Sequence, residues 1–302
     1  MVSLFTNLFF QIKKFCFLHK EIFLYNLSGN KKIKILFSDA LCQKKNLQKG
    51  LLLTNIETNF KEFTAENIKK ADLVVPLTIS DLKCLNEMRD LVISNKIPIP
   101  SLDAINICDD KYLFYQTLIK NGFEQFLPKI DNNLYYPYIL KKKTGEKGDD
   151  NYVISDGGTE TKYKHLIENP DYFCQEMVLG ENEFATHILF QNNKMIASLN
   201  IEYIFKNKTP IKGQDKLLAR KIVNFTYEDI FSEILSSIGF EGICCVNYKV
   251  KNGKPLLIEV NPRFGASLSL YFIAFLRKLY KNHTIRNYSE YVQPELLDLV
   301  NS

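Results

Sequence analysis

The sequence lacks the short motifs that identify several large enzyme classes. It contains no Walker A loop, no H-E-x-x-H zinc motif and no G-x-S-x-G nucleophile turn. It also has no internal repeat and no low-complexity tract, which argues against repeat architectures and compositionally disordered chains. Its 302 residues are enough for two or three compact lobes.

The cysteines form no C-x-x-C pair and their number is odd, which argues against a zinc site or a disulfide framework. Reduced, mostly buried thiols are typical of a cytoplasmic protein, and we predict that location. Cys244 and Cys245 lie in an apolar run, so at least one of them should face the core. The other cysteines are Cys16, Cys42, Cys84, Cys108 and Cys174.

The amino-terminal segment lacks an apolar run long enough to span a membrane. Residues 4–27 are rich in Phe and Leu, but lysines, His19 and Glu21 interrupt them. No small-residue cleavage site marks a signal peptide. We interpret residues 1–32 as a divergent first strand or helix, with association to a membrane surface as the alternative. The net charge of +5 comes from scattered lysines, which does not indicate a nucleic-acid-binding face.

The first third of the chain alternates predicted strands and helices. Such alternation at short spacing is typical of a parallel sheet, so we predict a small α/β lobe over residues 1–105. The predicted strands lie at 34–38 and 71–77, and the predicted helices at 64–70, capped by Thr64, and at 80–94, capped by Ser80.

Residues 106–302 predict a mixed α+β arrangement, so the fold class is α/β with α+β lobes. We divide this part into a small subdomain at about 128–180 and a larger one at 181–302. The predicted helices lie at 109–121, 163–169 and 227–238, with a helical end at 270–302; strands are predicted at 136–143, 151–155 and 173–178, a turn at 157–158, and hairpins at 184–203 and 243–260.

The strongest functional signal lies where the last predicted strand ends. Glu259 and Asn261 are two positions apart on that strand, so their side chains share one face. Pro262 ends the strand, and Arg263 follows from the loop. A carboxylate beside an amide oxygen suits a hard cation such as Mg²⁺, and a nearby guanidinium suits a phosphate.

The sequence E-V-N-P-R-F-G at this strand end resembles the metal-binding end of the ATP-grasp superfamily. Within it, the most similar branch is the carbamoyl-phosphate-synthase-like group of carboxylate–amine ligases. The resemblance runs from about residue 70 to residue 270, with the motifs in the family's order. It implies an ATP-grasp fold after a small pre-ATP-grasp lobe, although residues 1–32 lack the usual first strand and glycine-rich turn.

The resemblance implies a phosphate-binding strand and flap. Lys141 ends an apolar strand and would hold ATP phosphates, while Lys111 would contribute from the start of a helix. The loop from Thr144 to Gly148, with Gly145, can offer backbone N–H groups to phosphate oxygens. The family also implies ATP as cosubstrate and two Mg²⁺ ions, with Mn²⁺ as a substitute.

The resemblance further implies an adenosine site. Glu183 would accept the ribose hydroxyls, and His187 lies on the same face four residues later, where a structural role is favoured over an active-site role. The predicted adenine-binding residues are Gln175, Glu176, Met177 and Val178, the last two through their backbone.

Asn247 occupies the position at which the family places Gln, Glu or Asp as a second metal ligand. A two-residue turn would place Asn247 opposite Ile258, on the wrong face. A three-residue loop at 251–253 would pair it with Leu257 and bring it to the face of Glu259, so the metal site predicts the longer loop.

These residues predict an ATP-dependent ligase that activates a small carboxylate and joins it to an amine. Arg263 and Lys141 would be catalytic, and Arg220, from a basic stretch with Lys212 and Lys216, would reach a phosphate or the substrate carboxylate. A small-molecule kinase on the same fold and a non-catalytic nucleotide-binding protein are the alternatives. Amino-acid, peptide and sugar-linked substrates stay open, and the family allows a homodimer.

Overall fold

The computed structural model describes residues 2–29, 32–39, 41–131, 133–145, 148 and 150–280. The amino-terminal segment is a single helix, α1 (Val2–Leu27), so the helical interpretation is confirmed. Tyr25 of this helix is fully buried, and Glu21 of the same helix accepts a 2.6 Å hydrogen bond from Arg277. No helix in the described part of the chain combines the length and apolar content that crossing a bilayer requires.

A three-stranded parallel sheet follows, in the order β2-β1-β3. The predicted strands correspond to β1 (Ile33–Phe37) and β3 (Leu73–Val75), and the predicted helix to α3 (Ala65–Lys69), which Thr64 caps. Strand β2 (Ile56–Phe60) and helix α2 (Leu41–Leu51) were not predicted. All five residues of β2 are half-buried, as expected at a sheet edge, so the sequence carries no buried apolar signal there.

The predicted cap at Ser80 is wrong. Helix α4 (Ile79–Glu87) begins after Thr78, and a separate short helix, α5 (Arg89–Val92), follows. The Thr78 hydroxyl accepts a 3.1 Å hydrogen bond from the Asp81 N–H, and the Asp81 carboxylate accepts one of 2.8 Å from the Thr78 N–H. This reciprocal pair satisfies two N–H groups at once, which a Ser80 cap could not match.

The predicted helix at 109–121 is interrupted at its start. Helix α6 (Leu102–Asp109) ends just before Asp110. The Asp110 carboxylate caps α7 (Lys111–Lys120) by accepting hydrogen bonds of 2.9 Å from the Tyr112 and Leu113 N–H groups. Because Asp110 caps α7, Lys111 is the first residue of that helix. The Lys111 N–H donates a 2.8 Å hydrogen bond to Lys143 O.

The second sheet has three antiparallel strands in the order β5-β4-β6. These are β4 (Tyr138–Lys142), β5 (Tyr152–Ile154) and β6 (Tyr172–Glu176), as predicted within a few residues. The predicted turn at 157–158 is wrong, because Asp156 caps a longer helix, α8 (Gly157–Ile167), at that point. We call this sheet with α8 the flap.

The largest sheet has five antiparallel strands in the order β11-β10-β7-β8-β9. Both predicted hairpins are present, and so is the helix predicted just before the second hairpin. Strand β9 was not predicted, because its residues were interpreted as part of a basic loop. The remaining helix covers 272–280, and the rest of the predicted helical end lies outside the described residues. The elements are β7 (Asn182–Gln191), β8 (Lys194–Phe205), β9 (Leu217–Val223), α9 (Glu228–Ser237), β10 (Gly242–Lys251), β11 (Lys254–Asn261) and α10 (Phe272–Tyr280).

The five-stranded sheet is covered differently on its two faces. One face, which carries Phe190 and Tyr248, packs on α6, α7 and α9. The other, which carries Leu189 and Phe205, packs on α1, α10 and the first sheet. Cys244 is fully buried, as predicted for the adjacent pair. The free thiols are Cys16, Cys84, Cys108, Cys174, Cys244 and Cys245. The proposed domain boundaries stay a prediction.

Candidate active site

A cleft of about 660 Å³ lies between the flap and the five-stranded sheet. Strands β4 and β6 contribute Ile139, Lys141 and Gln175 from the flap side. The opposite wall consists of side chains from β7, β8, β9, β10 and β11, and α2 contributes Gln43 and Asn46. The predicted site residues of both walls therefore meet in one cavity.

Strand pairing sets the predicted residues in rows across the floor of the cleft. Glu183 on β7 is opposite Tyr203 on β8, and Tyr203 is opposite Arg220 on β9. In the neighbouring row, Asn247 on β10 is opposite Glu259 on β11. Because side chains on one face recur at every second residue, these rows expose their polar groups to the same cavity.

The predicted three-residue loop between β10 and β11 is wrong, but Asn247 and Glu259 do share one face of the sheet, as predicted. Lys251 pairs with Lys254, so the turn has two residues, and Asn252 and Gly253 have φ values of 53° and 77°. Ile258 is an extra residue in β11, because Leu257 pairs with Tyr248 and the next residue of β11 to pair is Glu259. This bulge shifts the register by one residue and brings Asn247 opposite Glu259.

The three predicted metal ligands contact one another. The side-chain amides of Asn247 and Asn261 donate hydrogen bonds of 2.6 Å and 3.0 Å to Glu259 Oε1. Burial would raise the pKa of Glu259, but Lys111, the Asn261 hydrogen bond and Lys141 together hold it below its ordinary value. Glu259 is therefore a carboxylate that stays ionised.

The oxygen atoms of this cluster suit a hard divalent cation, but the cluster carries only one negative charge. It offers one carboxylate and two amide oxygens, all of the oxygen type that Mg²⁺ prefers. Within the described residues, no group of three or more His, Cys, Asp or Glu side chains could hold a metal ion. A cation here would need further oxygens from a bound phosphate, as is usual for Mg²⁺ at nucleotide sites.

Two buried lysines approach Glu259 from the flap side. Lys111 Nζ lies 3.9 Å from Glu259 Oε2 and donates a 2.9 Å hydrogen bond to Gly145 O. Lys141 is 4% exposed, and burial lowers its pKa to about 8, even though Glu259 and Glu183 favour the charged form. Lys141 is thus a cation whose charge the cleft stabilises only in part.

Lys212 is a third cation of the cleft, and sequence reasoning did not select it. Its ammonium donates a 2.7 Å hydrogen bond to Asn247 Oδ1 and lies 3.5 Å from Glu183 Oε1. It also lies 4.4 Å from the centre of the Tyr203 ring, over which Arg220 lies at 5.1 Å. Burial would lower the pKa of Lys212, but Glu183 and Tyr203 raise it above its ordinary value.

The predicted glycine loop contacts the segment that carries Lys212. Gly145 and Gly148 have φ values of 142° and 75°, which favour glycine. A Cβ on Gly148 would lie 2.6 Å from Lys212 O, and the Gln214 side chain donates a 2.7 Å hydrogen bond to Gly148 O. Residues 146 and 147 of the loop lie outside the described residues, so its role in phosphate binding stays a prediction.

Of the four predicted adenine residues, Met177 and Val178 form an apolar slot in the cleft. Met177 packs on Ile139 and Ile211, and Val178 is also buried. Glu176 points elsewhere: its carboxylate accepts a 2.6 Å hydrogen bond from Lys251, which lowers its pKa. The floor beside the slot carries Glu183, which is 4% exposed and whose pKa burial raises.

His187 is buried, which is consistent with the structural role favoured from the sequence. It is fully buried, and burial lowers its pKa to about 3, so the ring is neutral at physiological pH. Its Nε2 lies 2.8 Å from Ser267 Oγ, and Ser267 lines the cleft. The ring occupies the space above Gly265, where a Cβ would lie 2.4 Å from His187 Cε1.

The cleft lies between two antiparallel sheets, and the lysines around its carboxylate give it a charge that suits an anionic ligand. The family model described as an ATP-grasp domain matches residues 108–267, more than half of the chain. The chain belongs to the ATP-grasp family, and the resemblance predicted from the motifs is confirmed. No curated protein sequence matches it significantly.

Solved structures support the same fold. D-alanine–D-alanine ligase from Bacillus anthracis has a TM-score of 0.56 at 13% identity, over 85% of this chain and 99% of that one. N5-carboxyaminoimidazole synthase from Aspergillus clavatus, in complex with ADP and 5-aminoimidazole ribonucleotide, has a TM-score of 0.56 at 15% identity, over 83% and 77%. L-amino acid ligase from Bacillus licheniformis has a TM-score of 0.54 at 13% identity, over 83% and 75%. The predicted ATP-grasp fold is therefore confirmed.

Sequence reasoning missed several polar residues of the cleft. Lys249 could have been found, because it lies two residues after Asn247 on β10 and therefore on the same face. Ser267 and Lys212 lie outside regular strands, so periodicity gives no signal for them. The cleft brings together most of the residues selected from the motifs, Arg263 among them, whereas Lys111 and Gly145 line a small neighbouring pocket that shares Glu259 and Asn261 with it.

Proposed function

We propose that this protein is an ATP-dependent ligase that joins a small carboxylate to an amine and releases ADP and phosphate. One observation carries the proposal: Lys141 and Lys212 line one cleft with Glu259 and Asn247, and Lys111 lies 3.9 Å from the same Glu259 carboxylate. Such an arrangement binds a triphosphate by charge and positions its terminal phosphoryl group. The solved relatives by name are ligases and related synthases, which supports the same reaction type.

In this proposal the nucleotide lies along the floor of the cleft. Met177 and Val178 would receive adenine, and Glu183 would accept hydrogen bonds from the ribose hydroxyls. Lys212 now pairs with Glu183 at 3.5 Å, so nucleotide binding would turn this ammonium towards the phosphates. Lys111 and Lys141 would contact phosphate oxygens from the flap side.

Glu259, Asn261 and Asn247 would hold Mg²⁺, or Mn²⁺ in its place. The ions supply charge neutralisation between the phosphate groups when they are bound. Glu259 is ionised, and the amide oxygens add neutral donors, so the protein contributes little negative charge. Two ions are expected from the family; the small charge of the cluster makes the phosphates the main ligands.

The chemistry places few demands on the protein beyond position and charge. The substrate carboxylate oxygen attacks the γ-phosphorus, the bond to the ADP oxygen breaks, and an acyl phosphate forms. Lys141 and Arg263 would balance the charge on the transferred group. The amine then attacks the acyl carbon, phosphate leaves with the bonding pair, and the amine gives up a proton as the C–N bond forms.

A non-catalytic nucleotide-binding protein is the second candidate, and one observation favours it. The metal cluster contains a single carboxylate, because Asn247 is neutral. A small-molecule kinase would use the same groups without an amine. These three functions differ in what they consume: the ligase needs ATP, a carboxylate and an amine, the kinase needs no amine, and the binding protein consumes nothing.

The test is ADP release from Mg-ATP against D- and L-amino acids, singly and in pairs. Turnover that requires a carboxylate and an amine, and that is lost in Glu259→Gln, supports the ligase. Glu57→Gln is the matched control, since Glu57 pairs with Lys32 on the first sheet, away from the cleft. ADP release with a carboxylate alone would instead support the kinase. A cytoplasmic location and a homodimer stay predictions.

A further inference from the structure

Helix α1 carries large apolar side chains on two of its sides. The inner side contributes Leu18, Ile22 and Tyr25 to the core that α1 shares with α10 and the first sheet, and all three are buried. A helix with apolar residues on more than one side has a second surface to bury, either in protein or in lipid. The apolar residues of the outer side are Ile12, Phe15, Phe23 and Leu27, which are 51%, 62%, 61% and 43% exposed.

These four side chains form one continuous stripe along α1. At about 100° per residue, they point into a single arc of about 120°. The stripe continues onto the turn after α2, because the Asn26 side chain of α1 donates a 2.8 Å hydrogen bond to Leu53 O. Leu52 and Leu53 in that turn are 74% and 56% exposed. We call the six exposed residues the α1 patch: Ile12, Phe15, Phe23, Leu27, Leu52 and Leu53.

The α1 patch is convex. Its least exposed member, Leu27, is 43% exposed, whereas side chains that line a groove are covered by the groove's walls. Single exposed leucines are common on protein surfaces, but a contiguous group of large apolar side chains marks an interaction site. A convex apolar surface suits a soft partner into which the side chains can insert.

Lysines accompany the α1 patch. Lys20 lies on the outer side of α1, about 60° around the helix from Phe23. Lys49 lies in the last turn of α2, just ahead of Leu52. Both lysines are exposed, and within the described residues neither forms an ion pair. Their charges are therefore available to an anionic partner.

Acidic residues are scarce in the segment that contains the α1 patch. Lysines occur throughout the chain, but residues 1–56 contain nine lysines against only Glu21 and Asp39. This surplus of seven positive charges exceeds the net charge of +5 of the whole chain. Glu21 is buried and accepts its hydrogen bond from Arg277, so α1 presents no exposed carboxylate. The charge beside the α1 patch is of one sign.

We propose that the α1 patch binds the surface of an anionic lipid bilayer. Its apolar side chains would enter the boundary between headgroups and acyl chains, with α1 lying in the plane of the membrane. Lys20 and Lys49 would approach the lipid phosphates, since lysines beside a bilayer favour anionic lipids. Membrane binding at this surface does not depend on the proposed ligase activity.

A second copy of this chain is a poorer occupant of the α1 patch. Two copies packed through the patch would bring Lys20 and Lys49 of one copy near the same lysines of the other, without carboxylates on α1 to offset them. Anionic lipid headgroups meet the same lysines with opposite charge. The sign of the charge therefore favours lipid over self-association.

The test is cosedimentation of the full chain with vesicles of phosphatidylcholine alone and of phosphatidylcholine mixed with phosphatidylglycerol. We expect the wild type to bind the mixed vesicles at least about tenfold more tightly, and this difference to shrink as salt is added. Phe15→Ser with Phe23→Ser should weaken binding to the mixed vesicles by at least about tenfold, because two aromatic anchors are lost.

A second variant tests the charge. Lys20→Gln with Lys49→Gln should weaken binding to the mixed vesicles by about tenfold to thirtyfold and leave binding to phosphatidylcholine alone unchanged. The matched control for the aromatic variant is Ile93→Ser with Ile119→Ser, which removes apolar side chains that are 81% and 45% exposed on other elements. This control should bind both kinds of vesicle as the wild type does.

Failure of the wild type to bind the mixed vesicles would overturn the proposal, and so would an aromatic variant that binds them as tightly as the wild type. A dimer that is lost in the aromatic variant, found by sedimentation equilibrium without any vesicle binding, would assign the α1 patch to a second copy and also overturn it. ADP release is measured without vesicles, so its outcome tests the proposed function separately.

Discussion

The side-chain amide of Asn247 donates a 2.6 Å hydrogen bond to Glu259 Oε1 directly across β10 and β11. This contact exists because Ile258 is an extra residue in β11, so the pairing shifts by one between Tyr248 and Asn247. Without that bulge, a two-residue turn would place Asn247 opposite Ile258. The bulge therefore aligns an amide and a carboxylate at the point where the cleft is richest in cations.

Asn247→Asp should increase the affinity for Mg²⁺. The substitution adds a second carboxylate to a cluster that has one, and charge count is a main determinant of affinity at oxygen sites for hard cations. Lys212, 2.7 Å from Asn247 Oδ1, would stabilise the new charge. We expect the Mg²⁺ concentration for half-maximal nucleotide binding to fall by about threefold to tenfold, measured by Mg²⁺ titration at fixed ATP.

The matched control is Asn252→Asp in the turn between the same two strands. Asn252 has a φ of 53°, a conformation that Asp tolerates well in two-residue hairpin turns. Its Mg²⁺ dependence should equal that of the wild type. If Asn247→Asp also leaves the Mg²⁺ requirement unchanged, Asn247 does not belong to the metal site.

ATP binding should weaken as pH rises through about 8. Burial lowers the pKa of Lys141 to about 8 in the free protein, with Glu259 opposing and Lys111 adding to the shift. A bound phosphate favours the charged form and raises this pKa, so the protonated lysine binds ATP and the neutral one does not. By linkage the affinity is constant well below pH 8 and falls by about tenfold between pH 7 and pH 9.

Lys141→Arg isolates the contribution of this lysine. A guanidinium stays protonated over the whole range, so the part of the pH dependence that comes from residue 141 should disappear. Binding is followed by calorimetry at constant ionic strength. A profile in Lys141→Arg that still falls by the wild-type amount would assign the titration to another group.

The sequence allowed the strands of the site to be predicted well, because their apolar residues alternate or form short runs between glycine turns. Strand β9 was missed because Lys212, Lys216 and Arg220 indicated a solvated charged stretch, yet its ladder with β8 pairs Arg220 with Tyr203. Strand β2 was missed because its residues are half-buried. Both are edge strands of their sheets, which carry the weakest periodic signal.

The bulge at Ile258 could not be predicted for a different reason. Leu256, Leu257 and Ile258 form a continuous apolar run, so no alternation marks which residue is extra. The sequence also could not predict the role of Lys212, because its position is set by tertiary contacts with Asn247 and Glu183 in the cleft. The motif resemblance selected the candidate residues, and tertiary contacts decide how they meet.

Gly265→Ala should destabilise the protein through His187. Gly265 has φ and ψ of −79° and 136°, which alanine adopts freely, so any effect is steric. The new Cβ would lie 2.4 Å from His187 Cε1 and 3.2 Å from Cys245 Cβ. We expect a loss of about 1–3 kcal/mol in the free energy of unfolding, measured by denaturant titration, as is usual for overpacking.

Gly157→Ala is the control for this substitution. A Cβ on Gly157 would find Tyr136 Oη at 3.8 Å, an ordinary contact, and alanine is favoured in a helix. His187→Ala in the Gly265→Ala background should recover part of the lost stability, because the ring that clashes is gone. A double variant no more stable than Gly265→Ala would show that the strain lies elsewhere.

Arg277→Met should destabilise the protein by removing the ion pair that joins α10 to α1. Arg277 Nε donates a 2.6 Å hydrogen bond to Glu21 Oε2, and the side chains are 18% and 7% exposed. Removing the arginine leaves a buried carboxylate without its cation, which costs about 3–5 kcal/mol in the free energy of unfolding. Glu21→Gln with Arg277→Met should cost less than Arg277→Met alone, because no charge is then stranded.

The exposed pair of Lys70 and Glu66 provides the comparison, since its side chains are 69% and 76% exposed. Lys70→Met should leave the denaturant midpoint close to that of the wild type, because exposed ion pairs contribute little. Equal losses in Lys70→Met and Arg277→Met would mean that burial of the Glu21–Arg277 pair has no special effect. In that case α1 would be held in place by its apolar residues, such as Leu18 and Ile22, rather than by the ion pair.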